Sequence, residues 1–158
     1  MSNEDGLLPS VIEVAKVEDI TPRMRRVTFA GRGVEVYASD PTRVPNIKLI
    51  FPRANGDLDL PVNTGGRRLE WPDPTLKAPV RTYTVRRLDP AAAEMDVDFV
   101  RHGDEGLASA WAERARPGDR LAAAGGGGIV APPADWYLII GDETALHAIG
   151  RMLERLPE

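Results

Sequence analysis

The order of hydrophobic and polar residues divides the first part of the chain into short extended segments. Residues 11–20 and 24–30 each mix β-branched and other apolar positions with polar neighbours, a pattern typical of strands. Thr21-Pro22 lies between them, and the chain is expected to turn there because proline restricts the residue before it. The two segments therefore predict a hairpin, and residues 46–51 predict a third strand.

Cationic residues on these predicted strands are open to two interpretations. Arg23, Arg25 and Arg26 form either a solvated face or a rim that binds an anion, and the solvated face is the simpler expectation. Lys48 lies among apolar neighbours in the third strand. Its ammonium group either reaches the surface along its apolar stem or faces an anionic ligand.

The segment 80–88 departs most from simple alternation. It is extended and rich in β-branched residues, yet it places a cation at Arg81, an aromatic ring at Tyr83 and a hydroxyl at Thr84. These groups suit a ligand with a phosphate, a flat ring and hydrogen-bonding ring atoms. They are equally compatible with an edge strand whose arginines are solvated, so the residues alone leave both interpretations open.

The next segments complete a mainly β pattern. Residues 94–101 alternate between apolar side chains and the acids Asp96 and Asp98, which predicts a strand with one face in water. Helical spacing follows over 107–116, and a short strand follows over 120–124. Short strands, one helix and Gly/Pro turns together predict a small antiparallel β-barrel of the Greek-key type. Residues 53–79 hold no periodic element and form either a structured functional loop or a partly disordered one.

The chain changes character after Pro132-Pro133. Residues 136–140 are a continuous apolar run, typical of a strand buried on both faces of a parallel sheet, and an amphipathic helix is predicted over 145–156. This unit predicts the start of a truncated Rossmann-like domain, which one strand and one helix cannot complete. Its apolar surface predicts either docking back on the barrel or pairing of two chains as a homodimer.

The predicted division of the chain has three parts. Residues 1–9 are expected to form a flexible N-terminus, residues 10–131 the barrel domain, and residues 132–158 the incomplete second domain.

Composition limits the classes of function. The formal net charge of −4 argues against general nucleic-acid binding. The chain has no cysteine, which excludes disulfides, thiol catalysis and cysteine-ligated clusters, and its two histidines do not suffice for a histidine-based metal cage. No apolar run approaches the about 20 residues that a membrane span needs. The N-terminus lacks a signal-peptide profile, so a cytoplasmic location is expected.

Six motifs follow one another along the chain. They are Arg81-Thr82-Tyr83-Thr84-Val85-Arg86, Asp98-Phe99-Val100-Arg101-His102-Gly103, Gly106-Leu107-Ala108-Ser109-Ala110-Trp111-Ala112, Pro117-Gly118-Asp119, Ala134-Asp135-Trp136-Tyr137 and Gly141-Asp142-Glu143-Thr144-Ala145-Leu146. In this order and spacing they resemble the siderophore-interacting protein family, whose members are FAD-dependent, NAD(P)H-linked ferric-siderophore reductases related to the ferredoxin reductases. Each motif alone is weak, and their combination makes the match specific.

The resemblance implies an FAD site along the predicted strand at 80–88. Arg81 would contact the pyrophosphate, Tyr83 would stack on or hydrogen-bond the isoalloxazine or ribityl region, and Thr84 would bond near the reactive ring nitrogen. The helix that starts at Gly106 would offer its N-terminal amides to the second phosphate. Ser109 would either add a hydroxyl or be an ordinary first-turn residue. The implied flavin-binding set is Arg81, Thr82, Tyr83, Thr84, His102, Gly106, Ala108, Ser109 and Trp111.

The resemblance also implies a substrate and a reductant. Lys48 is the candidate contact for an anionic ferric siderophore. Residues that match the start of an NAD(P)H site are Gly141, Asp142, Glu143 and Thr144. NAD(P)H would reduce FAD, and reduced FAD would pass electrons to the siderophore-bound Fe(III), so that the flavin carries the chemistry and no catalytic side chain or metal ligand is implied. The alternative is a non-catalytic flavin- or siderophore-binding module that relies on a separate reductant or a missing C-terminal domain.

Four positions depart from the family pattern. Leu107 stands where the family usually has proline, and residues 125–128 are four glycines in place of a Gly-Pro-x-Gly loop. Asn46 stands where histidine is frequent, and His147 where proline is usual. We therefore expect a less rigid helix entry and a weaker basic patch around the siderophore.

Overall fold

A closed barrel of six antiparallel strands forms the body of the protein in the computed structural model, which describes residues 9–35, 37, 44–62, 69–103, 106–125, 127–129 and 131–156. The strands are β1 Ser10–Thr21, β2 Met24–Ala30, β3 Val44–Ile50, β4 Val80–Asp89, β5 Glu94–Val100, β6 Arg120–Ala124 and the short β7 Gly128–Ile129. Around the barrel the order is β4-β5-β2-β1-β6-β3, β3 pairs again with β4, and β7 adds to β3. The predicted mainly β, antiparallel barrel is confirmed.

Alternate residues of the strands fill the interior of the barrel. β1 and β2 form the predicted hairpin, with Val17 opposite Val27. Val27 in turn lies opposite Val97 of β5, and both are fully buried together with Phe29 and Phe99. Burial contributes about 1.5–3 kcal/mol for each large apolar side chain, so the side chains that face inward hold the strands together.

Three helices lie within the described residues: α1 Arg32–Glu35, α2 Leu107–Arg114 and α3 Leu146–Leu153. The two predicted helices correspond to α2 and α3, and both end earlier than expected. α2 ends because Ala115 leaves the helical region, with ψ at 136°. No helix in the described part of the chain is long and apolar enough to cross a membrane.

α2 closes one end of the barrel through Trp111. The centroid of its ring system lies 6.2 Å from that of Phe29, 5.8 Å from Phe51 and 5.6 Å from Phe99. Aromatic pairs at such separations contribute packing energy beyond the area that they bury. The helix is therefore attached to the core at its middle.

The outer face of β5 is not open to water, and the prediction of one wet face is wrong. Asp96 and Asp98 are each only 4% exposed. Arg87 Nε donates to Asp96 Oδ2 at 2.7 Å, and Arg26 donates to both oxygens of Asp98 at 2.7 and 2.8 Å. Alternation along one strand does not distinguish a solvated carboxylate from one that is buried and paired with a neighbouring arginine.

The described part of the segment between β3 and β4 packs on the outside of the barrel. It contains a single 3₁₀ turn, Pro74–Leu76, and an isolated bridge between Val62 and Glu70. Trp71 packs against a second apolar cluster around Ile50, and its Nε1 donates to the carbonyl oxygen of Asp59 at 3.0 Å. This part of the segment is a structured loop.

The apolar run at 136–140 does not form the predicted strand. Trp136, Leu138 and Ile140 are 75%, 73% and 84% exposed. A strand of a parallel sheet receives hydrogen bonds and burial from strands on both sides. Among the described residues no backbone ladder reaches this run, so it forms no regular secondary structure.

α3, in contrast, docks on the barrel. This agrees with the first of the two expectations for the C-terminal segment. His147 Nδ1 lies 3.1 Å from Asp98 Oδ2. Arg86 of β4 donates to both carboxylate oxygens of Glu154 at 2.7 and 3.3 Å. The helix therefore lies against β4 and the acidic face of β5.

Candidate functional site

β4 lies between β3 and β5 and carries most of the predicted site. Arg81 is opposite Leu49 of β3, and Tyr83 is opposite Ile47. Tyr83 is half-buried, with its ring centroid 4.5 Å from that of Phe99. Burial raises the pKa of the Tyr83 phenol to about 12, so the hydroxyl stays protonated at neutral pH and can donate a hydrogen bond.

The Arg81 side chain is exposed beside this ring. Its Nη1 donates to the carbonyl oxygen of Val80 at 2.9 Å, and the described residues supply it with no carboxylate partner. The other N–H groups of a guanidinium form a planar fork that matches a phosphate. Unlike the arginines that pair with buried acids, Arg81 is therefore available to an anion.

The threonines of β4 lie on the other face of the strand, next to Lys48. Lys48 is opposite Thr82, and its Nζ donates to Thr82 Oγ1, while Asn46 is opposite Thr84. Asn46 also holds the glycine-rich loop: Gly127 N donates to Asn46 Oδ1 at 2.9 Å, and Asn46 N donates to Gly127 O at 3.1 Å. The predicted cation thus lies in a polar row on the outer face of β3 and β4.

A glycine occupies the N-cap position of α2. Gly106 occupies the N-cap position with φ at 98°, and it makes no side-chain hydrogen bond to the helix. A Cβ at this position would lie 3.2 Å from His102 Cε1, so both the backbone angle and the available space favour glycine. The first amides of α2, which have no partner within the helix, are therefore not capped by Gly106.

Ser109, Ala108 and Trp111 point towards the protein interior. Ser109 is 3% exposed; its hydroxyl donates to the carbonyl oxygen of Gly103 at 2.8 Å and accepts from His102 N at 3.1 Å. The hydroxyl is thus used to shape the turn before α2. Ala108 packs against the core with Trp111, whereas His102 is exposed.

Phe99 connects the two parts of the predicted site. Its ring contacts Tyr83 of β4 and Trp111 of α2, and it is fully buried. From the sequence, Phe99 was placed on the apolar face of its strand and in the motif 98–103, but it was given no role in the site. Its position three residues before the exposed His102 was the available signal, because a residue there can touch the neighbouring strand and the following helix.

Two of the hairpin arginines are not solvated, so that expectation is wrong for Arg25 and Arg26. Arg26 pairs with buried Asp98, and Arg25 donates to main-chain carbonyl groups at the end of α2. These contacts could not be predicted from local patterns, because each joins β2 to an element far along the chain. Arg23 lies exposed at the turn of the hairpin, in agreement with the expectation.

The four residues matched to an NAD(P)H site form the turn before α3. Asp142 Oδ1 accepts from Thr144 N at 3.0 Å and from Thr144 Oγ1 at 2.6 Å, and these bonds lower the pKa of Asp142. Gly141 has no room for a side chain, because a Cβ would lie 2.5 Å from that of Ala145. Glu143 is exposed beside them.

An open cleft of about 1110 Å³ lies at the opposite end of α2 from Gly106. Trp111 is the residue that it shares with the predicted flavin-binding set, and Arg114, Arg116 and Arg120 also line it. Within the described residues, no group of three or more His, Asp or Glu side chains is arranged to hold a metal ion.

Comparison with known proteins gives consistent matches. The family model described as the siderophore-interacting FAD-binding domain matches residues 13–130. The solved structure of a siderophore utilization protein from T. fusca is 40% identical, with a TM-score of 0.81, over 96% of this chain and 57% of that one. The siderophore-interacting protein SipS from Aeromonas hydrophila is 33% identical, with a TM-score of 0.76, over 96% of this chain and 55% of that one.

A curated relative is the ferric vibriobactin reductase ViuB of Vibrio cholerae, which is 34% identical over 161 residues. The match covers 99% of this chain and 58% of ViuB, so the chain spans little more than half the length of such relatives. From the family match and these similarities it follows that the chain belongs to the siderophore-interacting FAD-binding domain family.

Proposed function

We propose that the chain binds FAD at the surface formed by β4 and the start of α2, as the flavin-binding part of an NAD(P)H-dependent ferric-siderophore reductase. The observation that carries this proposal is the exposed Arg81 guanidinium beside the half-buried Tyr83 ring, in a chain whose family is an FAD-binding one. The residues fit the cofactor: a cation to which no described residue gives a carboxylate partner, a phenol that donates, and helix amides that Gly106 leaves uncapped.

Each part of the surface has a role in this proposal. Arg81 and the amides that follow Gly106 hold the two phosphates. Tyr83 and Thr84, on opposite faces of β4, orient the flavin ring where it lies along the edge of the strand. Ser109 holds the turn that precedes α2 rather than a phosphate, because its hydroxyl already has two partners. Bound FAD supplies the electron-transfer chemistry, and the chain binds, orients and shields it.

Lys48 is the proposed contact for the ferric siderophore. Its ammonium is held by Thr82, one residue from the Arg81 and Tyr83 positions along β4. An ammonium placed in this way attracts an anionic iron chelate without a bond to the metal. ViuB is named a ferric vibriobactin reductase, which supports a ferric siderophore as substrate for this chain as well.

NAD(P)H as the electron donor is also part of the proposal. An Escherichia coli relative, 32% identical over 147 residues, is named an NADPH-dependent ferric-chelate reductase. We assign residues 10–131 to the flavin domain and residues 132–158, with Gly141 and Asp142, to the start of the donor domain. We propose a cytoplasmic location, where NAD(P)H is available. The second candidate is a flavin- or siderophore-binding module fed by another reductant.

The site assignment is tested by titrating the 158-residue chain with FAD and following flavin fluorescence. Arg81→Ala should raise the Kd for FAD by about tenfold or more, because a charge-assisted contact with phosphate is lost. Arg23→Ala is the matched control, since Arg23 is exposed at the hairpin turn. A chain that takes up no FAD would refute the flavin assignment, and equal effects of the two substitutions would refute the role of Arg81.

The electron-transfer function is tested on the FAD-loaded chain in two steps. Loss of flavin absorbance on addition of NADPH would show a self-sufficient reductase. If NADPH has no effect, dithionite-reduced flavin is offered a ferric hydroxamate or ferric catecholate in the absence of oxygen. Reoxidation of the flavin with release of Fe(II), trapped by ferrozine, would support the reductase role, and failure with both chelates would favour the binding module.

A further inference from the structure

Arg25 of β2 and Arg101, which follows β5, hold the C-terminal end of α2. We infer that both are positioning residues for FAD: by fixing this end of the helix, they set where the amides at its other end meet a phosphate. The inference rests on the proposed FAD site at the start of α2. It extends that site to residues that do not touch the cofactor.

The Arg25 side chain is 15% exposed and makes bonds in two directions. Its Nη1 donates to the carbonyl oxygens of Ala112 and Glu113, both at 3.0 Å. Its Nε and Nη2 donate to the two carboxylate oxygens of Asp19, at 2.6 and 3.2 Å. One guanidinium therefore ties the last turn of α2 to β1.

Arg101 links Asp19 to the Glu113 side chain, and the ring is closed by the bond from Arg25 to the main-chain carbonyl of Glu113. Its Nε donates to Glu113 Oε1 at 2.8 Å, its Nη2 donates to Glu113 Oε2, and its Nη1 lies 3.1 Å from Asp19 Oδ1. The hydrogen bond from Arg25 lowers the pKa of Asp19, and the one from Arg101 lowers the pKa of Glu113. Both carboxylates therefore remain charged at neutral pH, and the ring stays intact.

The two ends of α2 are satisfied in different ways. At the C-terminal end the chain leaves the helix at Ala115, and Arg25 supplies N–H donors and a positive charge to the final carbonyl groups. At the N-terminal end Gly106 provides no side-chain cap. Arg25 thus satisfies two carbonyl groups at one end of the helix, whereas at the other end Gly106 provides no side chain to cap the first amides.

The position of the N-terminal end of α2 depends on how its C-terminal end is held. A helix of eight residues is about 12 Å long, and Trp111 anchors α2 in the aromatic cluster at its middle. If the C-terminal end is released, the helix can tilt about this anchor, and Gly106 moves in the opposite direction. A misplacement of about 1 Å is enough to weaken directional contacts with a bound group.

Arg26 provides a matched control for Arg25. It is the next residue of the same strand and also makes a bidentate ion pair, but its partner is Asp98 on the other face of the sheet. Asp98 is buried and contacts His147 of α3 rather than α2. Arg26→Ala therefore removes a buried ion pair and leaves the ring that holds α2 in place.

The experiment compares the parent chain with Arg25→Ala, Arg25→Lys and Arg26→Ala. For each, the midpoint of thermal unfolding is measured without FAD, and the Kd for FAD is measured by fluorescence titration. Arg25→Ala should raise the Kd for FAD by about tenfold. Arg26→Ala should lower the unfolding midpoint at least as much as Arg25→Ala does, but it should change the Kd by less than about twofold. Arg25→Lys retains the charge and should recover part of the affinity.

A second variant covers the case in which Arg25→Ala does not fold. Glu113→Gln keeps the main-chain carbonyl bonded to Arg25 and weakens only the link to Arg101, so a Kd raised by about threefold is expected. An unchanged Kd in Arg25→Ala, or in Glu113→Gln if Arg25→Ala does not fold, would overturn the inference, as would equal increases in Arg25→Ala and Arg26→Ala. Absence of FAD binding by the parent chain would instead overturn the proposed function.

Discussion

The barrel and the segment from 131 to 156 contain similar apolar residues in very different surroundings. Phe99 in the barrel is fully buried between Tyr83 and Trp111, whereas Trp136 is mostly exposed. The strands of the barrel close on one another, and each receives hydrogen bonds from two neighbours. The burial of a strand is therefore provided by its neighbours as much as by its own sequence.

Ion pairs join the two regions, and no residue of α3 is fully buried. Asp98 of β5 is paired with Arg26 and approached by His147 of α3, while Leu146 and Leu153 of the same helix stay largely exposed. Hydrogen-bonded ion pairs are directional and need both partners in place. α3 therefore has a defined position on the barrel without the apolar burial that stabilises the strands.

The largest expected effect separates an aromatic residue of the barrel from one of the C-terminal segment. Phe99→Ala should lower the free energy of unfolding by about 3–5 kcal/mol, because it removes a buried ring and leaves a cavity. Trp136→Ala should change it by less than about 0.5 kcal/mol, as is usual at exposed positions. Urea denaturation of both variants provides the measurement. Similar losses would mean that the segment has a partner in solution, such as a second chain.

The next largest effect concerns the junction of the two regions. Asp98→Asn should lower the free energy of unfolding by about 3 kcal/mol, the low end for a broken buried ion pair, since Arg26 is partly exposed and can regain water. It should also speed amide exchange in α3. Asp135→Asn, at an exposed aspartate, is the control. If exchange in α3 is unaffected, the helix is held by contacts other than Asp98.

The smallest effect is the dependence of stability on acid. Burial alone would raise the pKa of Asp98, but hydrogen bonds and charges from Arg26 and His147 outweigh it and lower the pKa to about 2. The folded state then binds this proton less tightly than the unfolded state, so the stabilisation is complete above about pH 4 and is lost as the pH falls through 2. It amounts to about 2 kcal/mol. Unfolding measured between these pH values should show a shallower slope in Asp98→Asn, and identical slopes would contradict the assignment.

Local patterns sufficed to predict much of the barrel. Proline at position 22 marked the turn between β1 and β2, and the alternation in β5 correctly identified its inward residues. The same alternation was misleading for Asp96 and Asp98, because their arginine partners lie on other strands. The run at 136–140 differs from the prediction for a related reason: its composition indicates a buried strand only beside parallel neighbours, and the described residues provide none.

The candidate site was predictable where it depends on short motifs. Arg81 and Tyr83 were identified within one strand, and Gly106 at a helix start. The sequence did not reveal that the Ser109 hydroxyl would bond to the preceding turn, or that Arg25 would hold the C-terminal end of α2. Both facts depend on contacts set by the tertiary fold, which periodicity does not record.

The placement of Trp111 gives the protein an internal optical probe. This indole lies among three phenylalanines in the core and five positions after Gly106, whereas Trp136 faces water and Trp71 is only partly covered. Five residues of helix correspond to about 7.5 Å along its axis. Emission from Trp111 should therefore be blue-shifted relative to that of Trp136 and should be quenched most strongly when a flavin occupies the start of α2. Binding can then be followed in the unlabelled chain.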